Sequence, residues 1–271
     1  MTVIVFLVAG MSSRFGGNPK PLAKVGPNNE TLIEYSVNQA IKNKFSKIIF
    51  ITNPKSEKDI QNIFTNEYKN IPVEYIQQNY DTNKRIRPWG TTDAICAIRL
   101  HIYDPFILVN GDDIYGEETF KRGYELMKER NINIIGGLPV IKTLPETGNV
   151  NRGIININTK TNTVTGLKET LNISKIGNPE LLKELANVNF IGLQPDILDK
   201  LNNILNLFKE HNKNDEKIEC LLPDNLNELI QKNELVMRFF EITNEILGIT
   251  NPGDEVILKD TFRKSIAKLS K

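Results

Sequence analysis

Unbroken apolar runs alternate with amphipathic stretches along the first part of the chain. The runs at residues 3–9 and 47–52 are almost wholly aliphatic or β-branched and predict strands buried on both faces, and residues 73–76 predict a third, shorter strand. Residues 31–42 follow a helical period, and residues 56–68 predict a polar helix that Ser56 caps. This β-α-β-α-β order predicts a parallel sheet with helices on both faces.

The remaining chain continues the alternation with shorter strands and helices. We expect strands at 105–116, 132–140, 152–157, 164–168, 187–193 and 235–242. We expect helices from 92, from about 117, at 195–210, at 216–232 with a kink at 221–223, and at 255–269. The apolar side of the last helix consists of Val256, Ile257, Phe262, Ile266 and Leu269. No linker or repeat divides these segments. The sequence therefore predicts one α/β domain over 1–271, with a Rossmann-like, mixed but mostly parallel twisted sheet flanked by helices and two halves that meet near residue 115.

Composition and charge narrow the class of protein. The 271 residues carry a formal net charge of +1, and charged residues make up 25%, so the overall charge suggests neither a nucleic-acid nor a membrane partner. Cys96 and Cys220 form no CxxC pair, and the two histidines add no zinc-binding pattern. The apolar first residues lack the basic segment of a signal peptide, and no apolar stretch approaches the length of a membrane helix. We expect a soluble, cytoplasmic protein.

A glycine-rich turn follows the first strand. The segment 7–22, LVAGMSSRFGGNPKPL, contains Gly10, Gly16 and Gly17 together with the cations Arg14 and Lys20. Exposed backbone N–H groups of such a turn attract phosphate oxygens, and the two cations favour a triphosphate cradle. The spacing matches neither a Walker A loop nor a dinucleotide fingerprint, and an ordinary glycine turn is the alternative.

Two acidic residues end the strand predicted at 105–116. Asp112 and Asp113 lie just past its carboxyl end, where ligands bind in open α/β sheets. Carboxylates opposite a phosphate cradle suit Mg²⁺, which binds one or two protein carboxylates and completes its shell with phosphate and water. A cap for the helix near Glu117 is the alternative role.

Trp89 lies in the turn that precedes the helix from 92. It either covers the sheet edge or forms a wall of a ligand site.

The motif AGMSSRFGG with the following PKPL resembles the signature loop of the sugar-phosphate nucleotidyltransferases. The resemblance implies that the loop and Arg14 bind the triphosphate of an NTP, and that Lys20 stabilises the transferring phosphorus. The implied residues are Ala9, Gly10, Ser12 and Ser13 for binding and Arg14 and Lys20 for catalysis. Ser12 replaces the second glycine of the family motif and carries a steric cost if that position needs a positive φ.

The resemblance extends to the turn before the helix from 92 and to the acidic strand end. It implies that Gly90 and Thr91 contact the nucleoside and that Gln78 reads a pyrimidine edge. It also implies that Asp112 binds Mg²⁺, with Asp254 as the second ligand; an N-cap is the alternative role for Asp254.

Three single residues of the second half match the sugar-binding positions of the family. They are Gly153 in NRGI, Glu169 in GLKET and Asn189 in NVNFIGL. Thymidylyltransferase-like enzymes follow this glutamate with Lys-Pro, whereas Thr170 and Leu171 follow it here. The resemblance therefore favours the uridylyltransferases.

The resulting hypothesis is a Mg²⁺-dependent enzyme that joins a sugar-1-phosphate, N-acetylglucosamine-1-phosphate or glucose-1-phosphate, to UTP. A metal-dependent glycosyltransferase of the GT-A type and a nucleotide-binding module without turnover are the alternatives. Oligomeric state stays open.

Overall fold

The fold is known from a computed structural model that describes residues 1–10, 19–129, 131–145, 148–249 and 253–269, with side chains as far as Phe262. In chain order its strands and helices are β1 Val3–Leu7, α1 Leu32–Ala40, β2 Ile48–Thr52, α2 Pro54–Phe64, β3 Glu67–Tyr68, β4 Ile71–Gln77, α3 Thr91–Cys96, β5 Phe106–Asn110, β6 Asp113–Ile114, α4 Glu117–Met127, β7 Asn133–Pro139, β8 Val150–Asn158, β9 Thr163–Ile173, β10 Leu185–Leu193, α5 Ile197–His211, α6 Leu222–Gln231, β11 Met237–Glu241, β12 Leu247–Gly248 and α7 Asp254–Leu269. No helix in these ranges is both long enough and apolar enough to cross a membrane.

The central strand β1 is apolar throughout because both of its faces are covered. Val3 and Val5 join the core beneath α3, α5 and α6, whereas Ile4 and Phe6 join the core beneath α1, α2 and α4. Alternate residues of a strand point to opposite faces, so a strand covered on both sides has no polar position to spare. The strands predicted at 3–9 and 47–52 are confirmed for this reason.

Ten of the strands form one sheet with the order β3-β4-β2-β1-β5-β10-β7-β11-β9-β8, and β6 and β12 form a separate two-stranded antiparallel sheet. The pairings β4–β2, β2–β1, β1–β5 and β7–β11 are parallel, and the other pairings of this sheet are antiparallel. The sheet is therefore mixed, as expected, but the expected majority of parallel pairs holds only in its first half. The reversal begins at β10, which pairs antiparallel with both β5 and β7.

Helix caps refine two predicted boundaries. Thr31 and Glu34 form a capping box at the start of α1, close to the predicted start at 31. The cap of α2 is Asn53 rather than Ser56, because the Asn53 side chain accepts from the backbone of Ser56 while the Ser56 hydroxyl accepts from the Asn53 N–H.

Two predictions for the last helices are wrong. Residues 216–221 are not helical, and the helix predicted at 216–232 begins only at Leu222, with Pro223 in its first turn instead of at a kink. On α7, Val256 and Ile257 are 60% and 64% exposed, whereas Leu258 and Phe262 are buried.

Candidate active site

The carboxyl ends of β1 and β5 form the floor of the candidate site. Leu7 and Asn110 are register partners, and the Gly111 N–H donates to the Leu7 carbonyl at 2.9 Å. A Cβ at Gly111 would lie 2.3 Å from Cγ1 of Val8, so only glycine allows this approach. The glycine turn after β1 and Asp112 after β5 are thereby brought to the same edge of the sheet.

The start of the glycine turn is held from the side by α2. The Asn53 side chain donates to the Ala9 carbonyl at 2.9 Å, and the Ser56 hydroxyl donates to the Val8 carbonyl at 3.0 Å. A Cβ at Gly10 would meet no atom within 4 Å among the described residues. Ser12, Ser13 and Arg14 lie outside the described residues, and their predicted roles stay predictions.

Lys20 follows the turn and faces the acidic strand end. It opens a 3₁₀ turn, Lys20–Leu22, with Pro19 before it and the buried Pro21 after it. Its Nζ lies 3.7 Å from Oδ2 of Asp112, and 17% of its side chain is exposed. The structure therefore brings together two of the predicted site residues, one cation and one carboxylate.

The two carboxylates after β5 are electrostatically strained. Burial raises the pKa of Asp112, and the Lys20 ammonium opposes this shift. Burial and repulsion from Asp112 raise the pKa of Asp113 to about 7, and a hydrogen bond from the Asn110 amide, 2.8 Å from Oδ2, opposes it. Hard carboxylate oxygens that repel one another in a half-buried site are a donor set suited to Mg²⁺, so the residues present fit the expected metal.

Asparagine side chains connect this acidic pair to the second half of the sheet. Asn187 donates to Oδ1 of Asn189 at 3.0 Å, Asn189 donates to Oδ1 of Asn110 at 3.2 Å, and Asn110 donates to Asp113. A register irregularity in β10 between Asn187 and Phe190 and a φ of 58° at Asn189 turn the Asn189 amide toward β5. We call Asn187, Asn189 and Asn110 the amide relay.

The other two predicted sugar-binding residues adjoin this relay. Gly153 of β8 is the register partner of Glu169 of β9, and a Cβ at Gly153 would lie 3.3 Å from Cβ of Asn187. Burial raises the pKa of Glu169, Asp224 raises it further, and the Arg152 guanidinium opposes both. The structure thus groups Gly153 and Glu169 with the relay that contains Asn189.

The predicted nucleoside turn is fixed by protein contacts. The Gln78 side chain is buried and donates to the Gly90 carbonyl and to Oδ2 of Asp93, both at 2.9 Å. Gly90 has a φ of 102°, and a Cβ there would lie 2.6 Å from the Cys220 carbonyl oxygen. The Thr91 hydroxyl accepts from the Leu222 N–H at 2.8 Å, which caps α6 from another segment. These three residues therefore shape the turn, whatever they contact in a ligand.

A brace from residues 215–220 supports the same turn. The Arg85 guanidinium stacks 3.4 Å from the ring centre of Trp89 and donates to the carbonyls of Asp215 and Ile218. The Cys220 N–H donates to the Trp89 carbonyl at 2.6 Å. Trp89 thus packs against protein partners in this turn.

Asp254 begins α7 and is not brought into a described contact with Asp112. The segment that precedes it does reach the acidic pair: Gly248 is the register partner of Asp113, and the Ile249 N–H donates to the Asp112 carbonyl at 3.2 Å. A Cβ at Gly248 would lie 2.0 Å from Oδ1 of Asp113. Residues 250–252, which connect this segment to α7, lie outside the described residues, so the metal role of Asp254 stays a prediction.

Sequence reasoning missed four residues that shape the site: Asn110, Arg152, Asn187 and Gly248. Asn110 and Arg152 directly precede the motif residues Gly111 and Gly153, and a polar residue at the end of an apolar strand was the available signal for Asn110. Gly248 carries no local signal, because its role depends on a partner 135 residues away in sequence.

Comparison with known proteins extends the fold to a family. The chain superposes on a UDP-glucose pyrophosphorylase complexed with UDP-glucose, with a TM-score of 0.72, 16% identity and coverage of 98% of this chain and 99% of the other. It also superposes on UDP-glucose pyrophosphorylase from Acinetobacter baumanii (TM-score 0.68, 16% identity, 99% of each chain) and on inositol-1-phosphate CTP transferase from T. maritima (TM-score 0.67, 12% identity, 97% and 96%). No curated protein sequence matches significantly. The model of the nucleotidyl transferase family matches residues 14–234, most of the chain, and the protein therefore belongs to that family.

Proposed function

We propose that the protein transfers a nucleotidyl group from an NTP to a sugar-1-phosphate and releases pyrophosphate. The observation that carries the proposal is the approach of Lys20 to Asp112, 3.7 Å apart at the edge where β1 and β5 end. A cation and a carboxylate at this edge suit a polyphosphate with its divalent metal. In the reaction, a phosphate oxygen of the sugar-1-phosphate bonds to the α-phosphorus, and the bond from that phosphorus to the oxygen that bridges the α- and β-phosphates of the NTP breaks, so that pyrophosphate leaves with that oxygen.

Positioning and charge neutralisation supply the catalysis. Lys20 neutralises oxygens on the α-phosphate, and Arg14 neutralises the leaving pyrophosphate. Ala9, Gly10, Ser12 and Ser13 bind the triphosphate, and the open space beside Gly10 supports this role. The phosphate of the acceptor is already ionised near neutral pH, so the reaction needs no general base.

Asp112 holds Mg²⁺, and Asp254 is the second ligand. The metal, when bound, supplies positive charge to the phosphate oxygens. Asn110 orients Asp113 beside Asp112, and Gly248 leaves room for the Asp113 carboxylate.

The sugar binds near the amide relay, in contact with Gly153, Glu169 and Asn189. Their grouping around Asn187 supports this assignment. The nucleoside binds at Gly90 and Thr91, with Gln78 at the base. UTP is the proposed nucleotide, and N-acetylglucosamine-1-phosphate or glucose-1-phosphate is the proposed acceptor, because Thr170 and Leu171 replace the Lys-Pro of thymidylyltransferase-like enzymes.

A metal-dependent glycosyltransferase also has use for acidic residues at this position. It has no evident use for Lys20 opposite Asp112, because its donor substrate is a nucleotide sugar and not a triphosphate. A binding module without turnover is the remaining alternative, since Ser12 departs from the motif.

Pyrophosphate release distinguishes the three functions. The purified protein is incubated with Mg²⁺, each NTP and each of several sugar-1-phosphates, and we expect pyrophosphate release with one preferred pair.

Two lysine variants test the role of Lys20 in this assay. Lys20→Ala should reduce turnover by at least about 100-fold because one preorganised charge is lost, whereas Lys24→Ala, which removes a nearby exposed lysine, should not. Asp112→Asn should abolish Mg²⁺-dependent release. Absence of pyrophosphate from every pair would refute the proposed reaction.

A further inference from the structure

Arg152 is a half-buried cation that pairs with no carboxylate among the described residues. Its Nη1 donates to the Asn151 carbonyl at 3.0 Å and its Nη2 to the Thr143 carbonyl at 3.1 Å, while its buried Nε has no hydrogen-bond partner in this part of the chain. In the part of the chain that the structure describes, no ion pair joins Arg152 to a carboxylate. A guanidinium has five N–H donors, so the two backbone carbonyls fix its plane and leave donors for a further acceptor.

The surroundings of Arg152 place it beside the predicted sugar-binding residues. It directly precedes Gly153 in β8, the register partner of Glu169, and its positive charge opposes the rise that burial causes in the pKa of Glu169. Arg152 therefore lies within electrostatic reach of Glu169, although no ion pair joins the two side chains. A half-buried cation of this kind gains from an anion that arrives with the substrate.

The strand register gives a second reason to assign Arg152 to a ligand. Arg152 is the Cα partner of Thr170, the residue that stands directly after Glu169. This register places Arg152 at the level of Thr170, one residue along β9 from the proposed sugar-binding residue Glu169.

We propose that Arg152 binds the anionic group of the acceptor substrate, a phosphate monoester, beside the sugar-binding residues Gly153 and Glu169. The inference rests on the proposed function, because it assigns the acceptor of that reaction to one side of the site. A guanidinium held in a fixed plane suits the bidentate geometry of a phosphate better than an ammonium does.

Steady-state kinetics with Arg152→Gln, Arg152→Lys and Lys160→Gln test the inference. Lys160 supplies a control of equal charge change, because it lies exposed in the turn between β8 and β9. Loss of charge-assisted hydrogen bonds should raise KM for the sugar-1-phosphate by about 10- to 100-fold in Arg152→Gln, leave KM for the NTP within about twofold, and have a smaller effect in Arg152→Lys. A rise confined to KM for the NTP, or no rise in either constant, would overturn the inference.

Calorimetric binding separates this inference from the proposed reaction. Glucose-1-phosphate, N-acetylglucosamine-1-phosphate, inorganic phosphate and glucose are titrated into the wild type and Arg152→Gln, with circular dichroism to verify that the variant is folded. We expect a phosphate ester to bind the wild type and its affinity to fall at least about tenfold in the variant. Binding of inorganic phosphate without binding of a sugar phosphate would indicate a general anion site and would count against a role in acceptor recognition. This result is expected even if no pair releases pyrophosphate. If no phosphate compound binds the wild type, or if one binds both proteins equally, Arg152 is not the anion-binding residue.

Discussion

Substitution of Asn110 by leucine tests whether the amide relay tunes the metal site. Leucine keeps the size of the side chain and removes both the hydrogen bond to Asp113, 2.8 Å, and the acceptor for Asn189, 3.2 Å. A hydrogen bond to an ionised group contributes about 1.5–3 kcal/mol, and loss of a partner that orients a metal ligand typically costs 10- to 100-fold in metal affinity. Without this bond the pKa of Asp113 rises further, because the Asn110 amide is one of the groups that lower it.

We therefore expect Asn110→Leu to raise the Mg²⁺ concentration for half-maximal pyrophosphate release by about 10- to 100-fold. In urea without metal, the same variant should lose about 1–3 kcal/mol in free energy of unfolding, because the half-buried Asn189 amide is left without its acceptor. Added Mg²⁺ should also stabilise the variant less than the wild type, a measurement that does not depend on turnover.

Asn203→Leu on the exposed side of α5 is the matched control, since it makes the same chemical change away from the aspartates. It should leave the Mg²⁺ concentration for half-maximal release unchanged and the free energy of unfolding within about 0.5 kcal/mol of the wild type. If Asn110→Leu behaves like this control in both measurements, the relay neither orients Asp113 nor stabilises the sheet edge.

Three further predictions test separate parts of the structure. Gly248→Ala should displace the Asp113 carboxylate, which lies 2.0 Å from the added Cβ, and lower the free energy of unfolding by about 1–3 kcal/mol; an unchanged urea midpoint would contradict the close approach. Phe262→Ala should cost about 3–5 kcal/mol in urea unfolding and Val256→Ala about 0.5 kcal/mol or less, and similar costs for both would mean that α7 docks by another face. Burial raises the pKa of Cys96 to about 12, so its thiol should resist iodoacetamide at pH 8 in the native protein and react after unfolding, as peptide mass spectrometry would show.

The sequence predicts the fold best at strands that are covered on both faces, because every position of such a strand is apolar. β1 and β5 are covered on both faces, so their apolar runs end where the ligand edge begins, and the position of Asp112 follows. Lys20 was predicted from its place in the glycine-rich segment and in the family motif, and the structure places it in a turn flanked by Pro19 and Pro21.

Features that depend on distant partners were not predictable from local pattern. The amide relay needs the irregular register of β10 and a positive φ at Asn189, and neither has a sequence signal of its own. The buried side of α7 was misjudged because Val256, Ile257 and Leu258 are consecutive apolar residues, and only contact with the core that contains Ile114 selects Leu258. At residues 216–221, docking against the turn around Trp89 overrides the helical pattern.

The brace between Arg85 and residues 215–220 limits how this protein can be dissected or recombined. The proposed nucleoside turn is held by backbone atoms that lie more than 120 residues later in the chain. A fragment that ends near residue 115 would therefore contain the turn without the contacts that fix its shape. A chimera that takes its second half from another family member must import a segment that fits Trp89 and Gly90. An exchange of sugar specificity by swapping halves must therefore first preserve the contacts between this turn and residues 215–220, before any residue that contacts the sugar is considered.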